Sequence, residues 1–363
     1  MSNKWETFFP FSHGIVNNGF FLHISLWCVI MMRVQNKTMN IGFFVMRKFS
    51  ERKIKTMKQT KIITSTLFVA IAAMFCCALW GSATPFIKTG YELMMPNANV
   101  ASTILFAGIR FFSAGIITII IYSITRKKFL LPKRENLGAI ATVSCFQTII
   151  QYLFFYIGLS NTTGVKGTVI SGSNSFFSIL FATLVFRQEK LTVKKIFACV
   201  LGFVGIVLIN LNGLGLNFNF TGDGFVLFSN MAYAVSGVLM KKFSNREDPV
   251  VISGYQFILG GFVMIGVGIL LGGVIVVGSF KAAMVLLYLS LLSAVAYALW
   301  GVLLKHNPVS KVAIYSFMTP VFGVLLSKVM LTESGNVAPA NLITALLLIC
   351  SGIAIANYSK AKQ

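Results

Sequence analysis

Apolar runs of about 20 residues recur along this chain, and they constrain its fold more than any other feature. A helix of that length crosses a hydrocarbon core of about 30 Å, whereas lipid offers no partner for the free backbone groups of a strand or coil. Hydrophobic residues make up 56% of the sequence and charged residues 11%, which excludes an ordinary soluble domain. The sequence therefore predicts an all-α polytopic membrane protein embedded in a lipid bilayer. Its ten predicted transmembrane helices cover residues 62–86, 101–124, 136–159, 165–186, 194–211, 223–241, 250–274, 282–304, 311–331 and 339–357.

The basic residues occupy alternate connections between these runs. A soluble chain with a formal charge of +22 would suggest a nucleic-acid partner, but this distribution indicates a topology signal instead. By the positive-inside rule we expect both termini to be cytoplasmic, in an integral protein of a bacterial cytoplasmic membrane with no nucleic-acid partner. The basic clusters lie at residues 47–61, 126–134, 187–195, 241–246 and 305–311.

A pattern in the middle of the chain returns near its end. The segment Tyr152–Glu189 opens on Tyr, has an aromatic residue three positions on and closes on Glu, and Tyr297–Glu333 repeats all three features. The string GIRFFSAG around Arg110 is likewise matched 146 residues later by GYQFILGG around Gln256. Because each half holds an odd number of predicted spans, the second half is expected to lie inverted relative to the first. The predicted domains are two five-helix repeats at residues 57–212 and 213–363.

Residues 1–56 do not match the pattern of the rest. The apolar run between Phe20 and Met32 is too short to span a bilayer on its own. Met57, followed by basic residues and a long apolar run, looks like the ordinary start of a membrane protein. Two interpretations stay open: an extension upstream of the native start, or an interfacial helix whose basic stretch Arg47–Lys55 lies on the inner leaflet.

Arg110 is the sharpest single signal in the chain, because it lies in an apolar run about ten residues from the nearer end of its span. A cation at such depth costs about 2.5 to 3.5 kcal/mol on insertion scales, so it needs a partner or a water-filled cavity. Three roles stay open: Arg110 binds carbonyl groups at a helix break, faces a substrate, or extends toward the membrane surface. Gln256, at the equivalent place in the second half, carries no charge.

Further polar residues lie in the middle of predicted spans. Gln147 and Gln151 are spaced i, i+4 and share one helical face, and Asn174 lies within a run of serines. Such side chains can bond neighbouring helices together, at about 0.6 kcal/mol each, or line a shared polar interior, which their common depth favours. A proline is tolerated in a spanning helix where a bend is accommodated, so Pro85 and Pro320 mark static bends or hinges used in gating.

The sequence lacks a recognisable catalytic or metal-binding motif. It contains no HExxH, P-loop or dinucleotide-binding pattern, and its six cysteines lie in apolar surroundings without a metal-ligand spacing. We therefore predict no enzyme activity, no cofactor and no metal. All nine acidic residues fall in the N-terminal tail, a connection or a span end, so a proton relay would need Glu92, Asp223 or an unidentified group.

Taken in order, these features resemble the EamA-type transporters of the drug/metabolite transporter superfamily. The resemblance extends from Met57 to Ser359, and the chain departs from the family where Phe176 replaces a frequent proline in span 4. The features that carry the resemblance are Trp80, Gly81 and Lys88 in span 1, Arg110 in span 2, Tyr152 and Phe155 in span 3, Pro320 in span 9, and the closing glutamates Glu189 and Glu333.

The resemblance implies a secondary transporter that works by alternating access of two inverted repeats and exports amino acids, metabolites or drugs. We expect Arg110 to pair with a carboxylate or phosphate of the small-molecule substrate, and aromatic side chains to contact its apolar or cationic parts. The alternative is a membrane scaffold without transport, or a membrane-embedded enzyme. Substrate identity, direction, any coupling ion and oligomeric state stay open. The residues expected to line the central cavity are Trp80, Arg110, Gln147, Gln151, Asn174, Tyr233, Gln256 and Trp300.

Overall fold

The computed structural model describes residues 62–95, 99–209, 217–330 and 339–357. Within these ranges every regular element is a helix and no strand occurs, in agreement with the all-α class predicted from the sequence. The N-terminal extension at residues 1–56, the expected start at Met57 and the closing Glu333 lie outside the described residues.

We label the helices of the described residues α1 to α10 in chain order. The uninterrupted ones are α1 (Thr66–Met94), α2 (Val100–Arg126), α5 (Val193–Ile209), α7 (Pro249–Leu270), α8 (Phe280–His306) and α10 (Pro339–Asn357). The composite ones are α3 (Arg134–Asn136, Leu137–Ser144, Cys145–Ile150 and Gln151–Ser160), α4 (Gly164–Ser171, Ser173–Leu180 and Phe181–Val185), α6 (Phe220–Gly224 and Phe225–Phe243) and α9 (Val309–Ala313, Ile314–Phe317 and Met318–Met330).

Eight helices of the described chain, α1 to α4 and α6 to α9, are long and apolar enough to cross a membrane. Helix α5 has 17 residues, and the apolar part of α10 is Ile343–Asn357. At 1.5 Å per residue, the 17 residues of α5 extend about 26 Å, and the apolar part of α10 is shorter still. Both are somewhat shorter than a hydrocarbon core of about 30 Å. The structure therefore supports eight of the ten expected spans, and membrane crossing by α5 and α10 stays a prediction.

Short polar side chains cap the first turns of α2 and α7. The side chain of Asn99 accepts a hydrogen bond from Ser102 N at 2.7 Å at the start of α2. The side chain of Asp248 accepts one from Val250 N at 2.9 Å, with Pro249 at the first position of α7. Each cap satisfies an N–H group that the first helical turn leaves without a partner.

Helices α2 and α7, which occupy equivalent places in the predicted repeats, cross at close range through glycine. A methyl group at Gly108 would lie 2.6 Å from Ile265 N, and one at Gly115 would lie 2.6 Å from Gly254 O. Residue numbers rise along α2 as those of its contacts fall along α7, so the two helices run antiparallel. Small residues at a crossing let helix backbones approach closely in a membrane, where dispersion contacts drive association.

The pair α5 and α10 repeats this arrangement. A methyl group at Gly205 would lie 3.0 Å from Ala345 O, and one at Gly352 would lie 2.7 Å from Ala198 O. The contacts again run in opposite directions along the two helices, which are therefore antiparallel. Glycine and alanine thus hold both pairs of equivalent helices together.

Several helices change their winding near the middle of the bundle. Helix α3 contains the π-helical segment Cys145–Ile150, and α9 contains the 3₁₀ segment Ile314–Phe317, which ends three residues before Pro320. Helix α4 is interrupted at Gly172, whereas α1 continues through Pro85 without a break. Segments of these kinds often mark hinges or functional sites, and the one in α9 lies beside a proline.

We predict that Gly115→Val destabilises the protein, because the added carbon atoms meet the backbone of α7 rather than a movable side chain. Overpacking of this kind costs about 1 to 3 kcal/mol. The thermal unfolding midpoint in detergent measures the effect, and Gly138→Val is the matched control, since a Cβ at Gly138 meets nothing within 4 Å. Equal losses in both variants would contradict the close α2–α7 crossing.

Candidate functional site

A small cavity lies between α3, α4, α6, α8 and α9. Its volume of about 10 Å³ matches about one water molecule. Its lining holds no charged side chain: the polar groups are amides and hydroxyls, and Tyr233 and Trp300 supply aromatic surface. The lining residues are Gln147, Asn174, Ser178, Tyr233, Gly237, Trp300, Leu304, Val309, Ala313 and Ser316.

A hydrogen-bonded cluster of side chains forms one wall of this cavity. Ser316 Oγ lies 2.8 Å from Asn174 Oδ1 and 2.5 Å from Ser175 Oγ. Ser175 Oγ in turn lies 2.9 Å from the carbonyl oxygen of Ala313. These bonds join α4 to α9 at the 3₁₀ segment, and they hold the Asn174 amide in place at the cavity wall.

Several buried polar atoms of α1, α3, α4 and α7 have no hydrogen-bond partner among the described residues. They are Trp80 Nε1, Gln147 Oε1, Gln151 Oε1, Ser173 Oγ and Gln256 Nε2. The large majority of buried polar groups in folded proteins are hydrogen-bonded, to protein or to ordered water. Among these residues Gln147 lines the cavity, where a water molecule can supply the missing hydrogen bond.

Aromatic side chains connect the two halves beside the cavity. Trp80 packs edge-on against Tyr297, with ring centroids 5.2 Å apart, and against Trp300, with centroids 4.9 Å apart. The hydroxyl oxygens of Tyr152 and Tyr297 lie 2.8 Å apart and share a hydrogen bond. Because these two tyrosines open the two copies of the repeated pattern, a residue of one half meets its own counterpart in the other.

Arg110 is buried in α2, with 3% of its surface exposed. Its Nε and Nη2 atoms donate to Ser293 Oγ in α8 at 3.1 and 3.0 Å. Among the ion pairs of the described residues, none joins Arg110 to a carboxylate. Its guanidinium carbon also lies 4.9 Å from the centroid of the Phe111 ring. The site therefore holds a buried positive charge in contact with a hydroxyl group and an aromatic ring, a costly arrangement without a counter-charge.

Gln256 makes the equivalent contact in the second half. It is fully buried in α7, and its Oε1 accepts a hydrogen bond from Thr148 Oγ1 in α3 at 2.7 Å. Thr148 and Ser293 are related by the repeat, so the pair Gln256–Thr148 is the counterpart of Arg110–Ser293. One of the two pairs carries a charge and the other does not, which makes the interior electrostatically asymmetric.

A protein-family model described as the EamA-like transporter family matches residues 65–211 and, separately, residues 220–358. The chain belongs to the EamA-like transporter family. Its family domain is present twice, once on α1 to α5 and once on α6 to α10, and the expected resemblance is confirmed.

Relatives of this EamA-like transporter include proteins that are named as transporters. The uncharacterized transporter YvbV of Bacillus subtilis (strain 168) is 25% identical over 310 residues, which cover 81% of this chain and 93% of the relative. A WAT1-related chloroplastic protein of Arabidopsis thaliana is 23% identical over 272 residues, 70% of this chain and 62% of the relative. A solved crystal structure with a TM-score of 0.65 is 17% identical, covers 79% of this chain and 97% of that one, and supports the fold alone.

The structure separates the eight residues expected to line the cavity of this EamA-like transporter into two sets. The set that lines it is Gln147, Asn174, Tyr233 and Trp300. The set outside the lining is Trp80, Arg110, Gln151 and Gln256, although Trp80 touches the lining through Trp300. For Arg110 and Gln256 the reason is the α2–α7 crossing: α2 and α7 pack on each other, and these two side chains bond to α8 and α3 instead.

Sequence reasoning missed the partner of Arg110 and two cavity hydroxyls, those of Ser178 and Ser316. Ser293 looks like any small residue of an apolar helix when its span is considered alone. Its spacing of 145 residues from Thr148 equals that of Tyr297 from Tyr152, and this spacing was a usable signal for a hydroxyl repeated in both halves.

We predict that Ser293→Ala destabilises the protein, because it removes the oxygen that accepts two N–H groups of the buried Arg110 guanidinium. Hydrogen bonds to charged groups contribute about 1.5 to 3 kcal/mol. Ser290→Ala is the matched control in the same helix, since its hydroxyl donates to Leu286 O of that helix at 2.8 Å. Thermal unfolding should show a lower midpoint for Ser293→Ala than for Ser290→Ala, and equal midpoints would contradict the Arg110 contact.

Proposed function

We propose that this EamA-like transporter is a secondary exporter of small molecules that carry an anionic group, and that it works by alternating access. The observation that carries the proposal is Arg110, a buried cation held by Ser293 with no carboxylate partner among the described residues. Ionisable residues inside a membrane are costly, and they mark substrate and ion pathways. A substrate anion supplies the counter-charge that the described part of the protein does not.

We infer ten transmembrane helices arranged as two inverted five-helix repeats, at residues 57–212 and 213–363. The antiparallel pairs α2–α7 and α5–α10 support this arrangement, because each pair joins equivalent helices of the two family matches. The contact between Tyr152 and Tyr297 supports it too, since equivalent residues meet on the axis that relates two inverted halves. Inverted repeats allow access to alternate, because the two halves can exchange conformations around one fixed site.

The charges at the ends of the helices support one orientation in the membrane. The end of α2 meets the start of α7, where Arg126 Nη2 lies 3.7 Å from Asp248 Oδ2. We name this end of the bundle, which also carries Lys128 and Lys190, the basic face, and the other end the opposite face. We propose that the basic face and both termini are cytoplasmic, in a bacterial cytoplasmic membrane, as the positive-inside rule requires.

The chemistry of the site supports a substrate with a charged end and an uncharged body. The guanidinium of Arg110 can bind a carboxylate or a phosphate through two parallel N–H groups. The neutral cavity beside Tyr233 and Trp300 suits the uncharged part, and the aromatic faces can also attract a cationic group. Amino acids, other metabolites and drugs with a carboxylate fit this description.

We assign the hinge roles to the prolines of α1 and α9. Pro320 follows the 3₁₀ segment Ile314–Phe317, so the winding of α9 already changes there. Pro85 lies in an unbroken helix, but its missing N–H group leaves the carbonyl oxygen of Gly81 without its usual partner. Both positions therefore allow bending with little loss of backbone hydrogen bonding.

We predict that Arg110→Ala abolishes transport while the protein reaches the membrane in normal amounts, because the counter-charge for the substrate anion is lost. Efflux and uptake of amino acids and carboxylate-bearing dyes in membrane vesicles, with and without a pH gradient, measure the effect. Arg246→Ala, which removes an exposed arginine of the basic face, is the control and should transport like the wild type.

Arg110→Lys distinguishes charge from geometry at the same site. Lysine keeps the positive charge but loses the planar fork, so we expect residual transport with a weaker apparent affinity. Wild-type transport by Arg110→Ala would remove this residue from the substrate site and would contradict the proposed function.

A further inference from the structure

The connection between α8 and α9 closes the cavity toward the basic face. We call residues 307–311 the basic-face hairpin. Leu304 precedes this hairpin, Val309 belongs to it and Ala313 follows it. All three residues line the cavity. The hairpin therefore borders the cavity on the side of the basic face, and the cavity holds space for about one water molecule.

Glu189, in the connection between α4 and α5, binds this hairpin directly. Its carboxylate accepts a hydrogen bond from Ser310 N at 3.2 Å and another from the Ser310 hydroxyl. Lys195 Nζ donates to the same carboxylate at 2.9 Å, and only 7% of the Glu189 side chain is exposed. One carboxylate of the first half thus fixes the start of α9 in the second half.

Further bonds hold the same hairpin to the beginning of α1 and the end of α6. Lys311 Nζ donates to Thr64 O at 2.9 Å, and Asn307 Nδ2 lies 3.3 Å from Ile63 O. Lys241 Nζ donates to the carbonyl oxygen of Asn307. The hairpin is therefore held by polar contacts, which can break and re-form, in addition to the apolar packing of the buried Val309.

The repeat places an equivalent hairpin on the opposite face, at residues 162–166 between α3 and α4. Lys166 lies 145 positions before Lys311, and its Nζ lies 3.6 Å from Asp223 Oδ2 at the start of α6. The Thr162 hydroxyl donates to the other oxygen of the same carboxylate. Asp223 has only 5% of its side chain exposed, so each hairpin is held by one nearly buried carboxylate.

We propose that these two hairpins are the two gates of the cavity, and that Glu189 and Asp223 are positioning residues that each keep one gate closed. The inference rests on the proposed transport function and adds the residues that control access from each face. Opening toward the basic face requires Glu189 to release Ser310, and opening toward the opposite face requires Asp223 to release Thr162 and Lys166.

The contact with Ser310, rather than protonation of Glu189, controls whether Glu189 holds the basic-face hairpin. Burial alone raises the pKa of this carboxyl, but the hydrogen bonds from Ser310 and Lys195 outweigh it and hold the pKa below its usual value. A group with a lowered pKa stays ionised at neutral pH, and its stabilising contribution is lost only as the pH falls through that lowered value. Movement of Ser310, rather than protonation near neutral pH, therefore opens this gate.

The test uses Ser178→Cys as a reporter, because Ser178 lines the cavity and is nearly buried. A membrane-impermeant maleimide is added to vesicles of either orientation, and peptide mass spectrometry reads the label at the reporter apart from the native cysteines. Glu189→Gln should raise labelling from the basic face about tenfold, as expected for the loss of one charge-assisted hydrogen bond, and lower it from the opposite face. Asp223→Asn should do the reverse.

Two further variants keep the result interpretable. Ser310→Ala keeps Glu189 but removes one donor, so it should shift labelling in the same direction as Glu189→Gln and by less. Glu135→Gln, at a carboxylate of the basic face that is 72% exposed, should change nothing. A purely structural role would change labelling from both faces equally and would overturn the proposal.

The outcomes separate the gates from transport itself. If Asp223→Asn shifts labelling but Glu189→Gln and Ser310→Ala do not, Glu189 does not keep the basic-face hairpin closed. That result would overturn the role of Glu189 and leave alternating access standing. If the reporter reacts from one face only, in every variant, alternating access itself is wrong, and the gate assignment fails with it.

Discussion

Backbone packing of α2 on α7 is the constraint on which the rest of the structure depends. A methyl group at Gly108 or Gly115 would lie 2.6 Å from the backbone of α7, so the backbones of the two helices pack directly against each other. Arg110 and Gln256 each follow a glycine of this crossing by two positions. The crossing therefore fixes the positions from which these two side chains extend. From its position in α2, the guanidinium of Arg110 contacts Ser293 in α8.

Much of the fold was predictable from the sequence, because hydropathy and loop charge act locally along the chain. Arg110 was also predictable as a special residue, since its depth in an apolar run is visible without a structure. Its partner was not, because a pairing between α2 and α8 depends on helix rotation and packing. The interruption of α4 at Gly172, four residues before Phe176, and the π-helical turn around Gln147 were hidden for the same reason.

The charges of the described chain divide into a centre and two ends. The centre holds one buried cation and a neutral cavity, and the nearly buried carboxylates Glu189 and Asp223 lie at the ends, each beside a lysine. In the mechanism that we propose, a substrate anion entering this interior meets no described carboxylate there and finds its counter-charge at Arg110. The proposal thus gives binding to the centre and closure to the two hairpins, so that the two tasks rest on different residues.

Inverted duplication is the central claim, and the polarity of the repeat-equivalent ends of α2 and α7 tests it most directly. Lys128 and Val274 are exposed, lie just past those ends and occupy equivalent places 146 residues apart. Single cysteines at the two positions should react with an impermeant maleimide from opposite sides of the membrane, Lys128→Cys from the cytoplasm and Val274→Cys from outside. Reaction of both from the same side would contradict the inverted arrangement and the transport mechanism built on it.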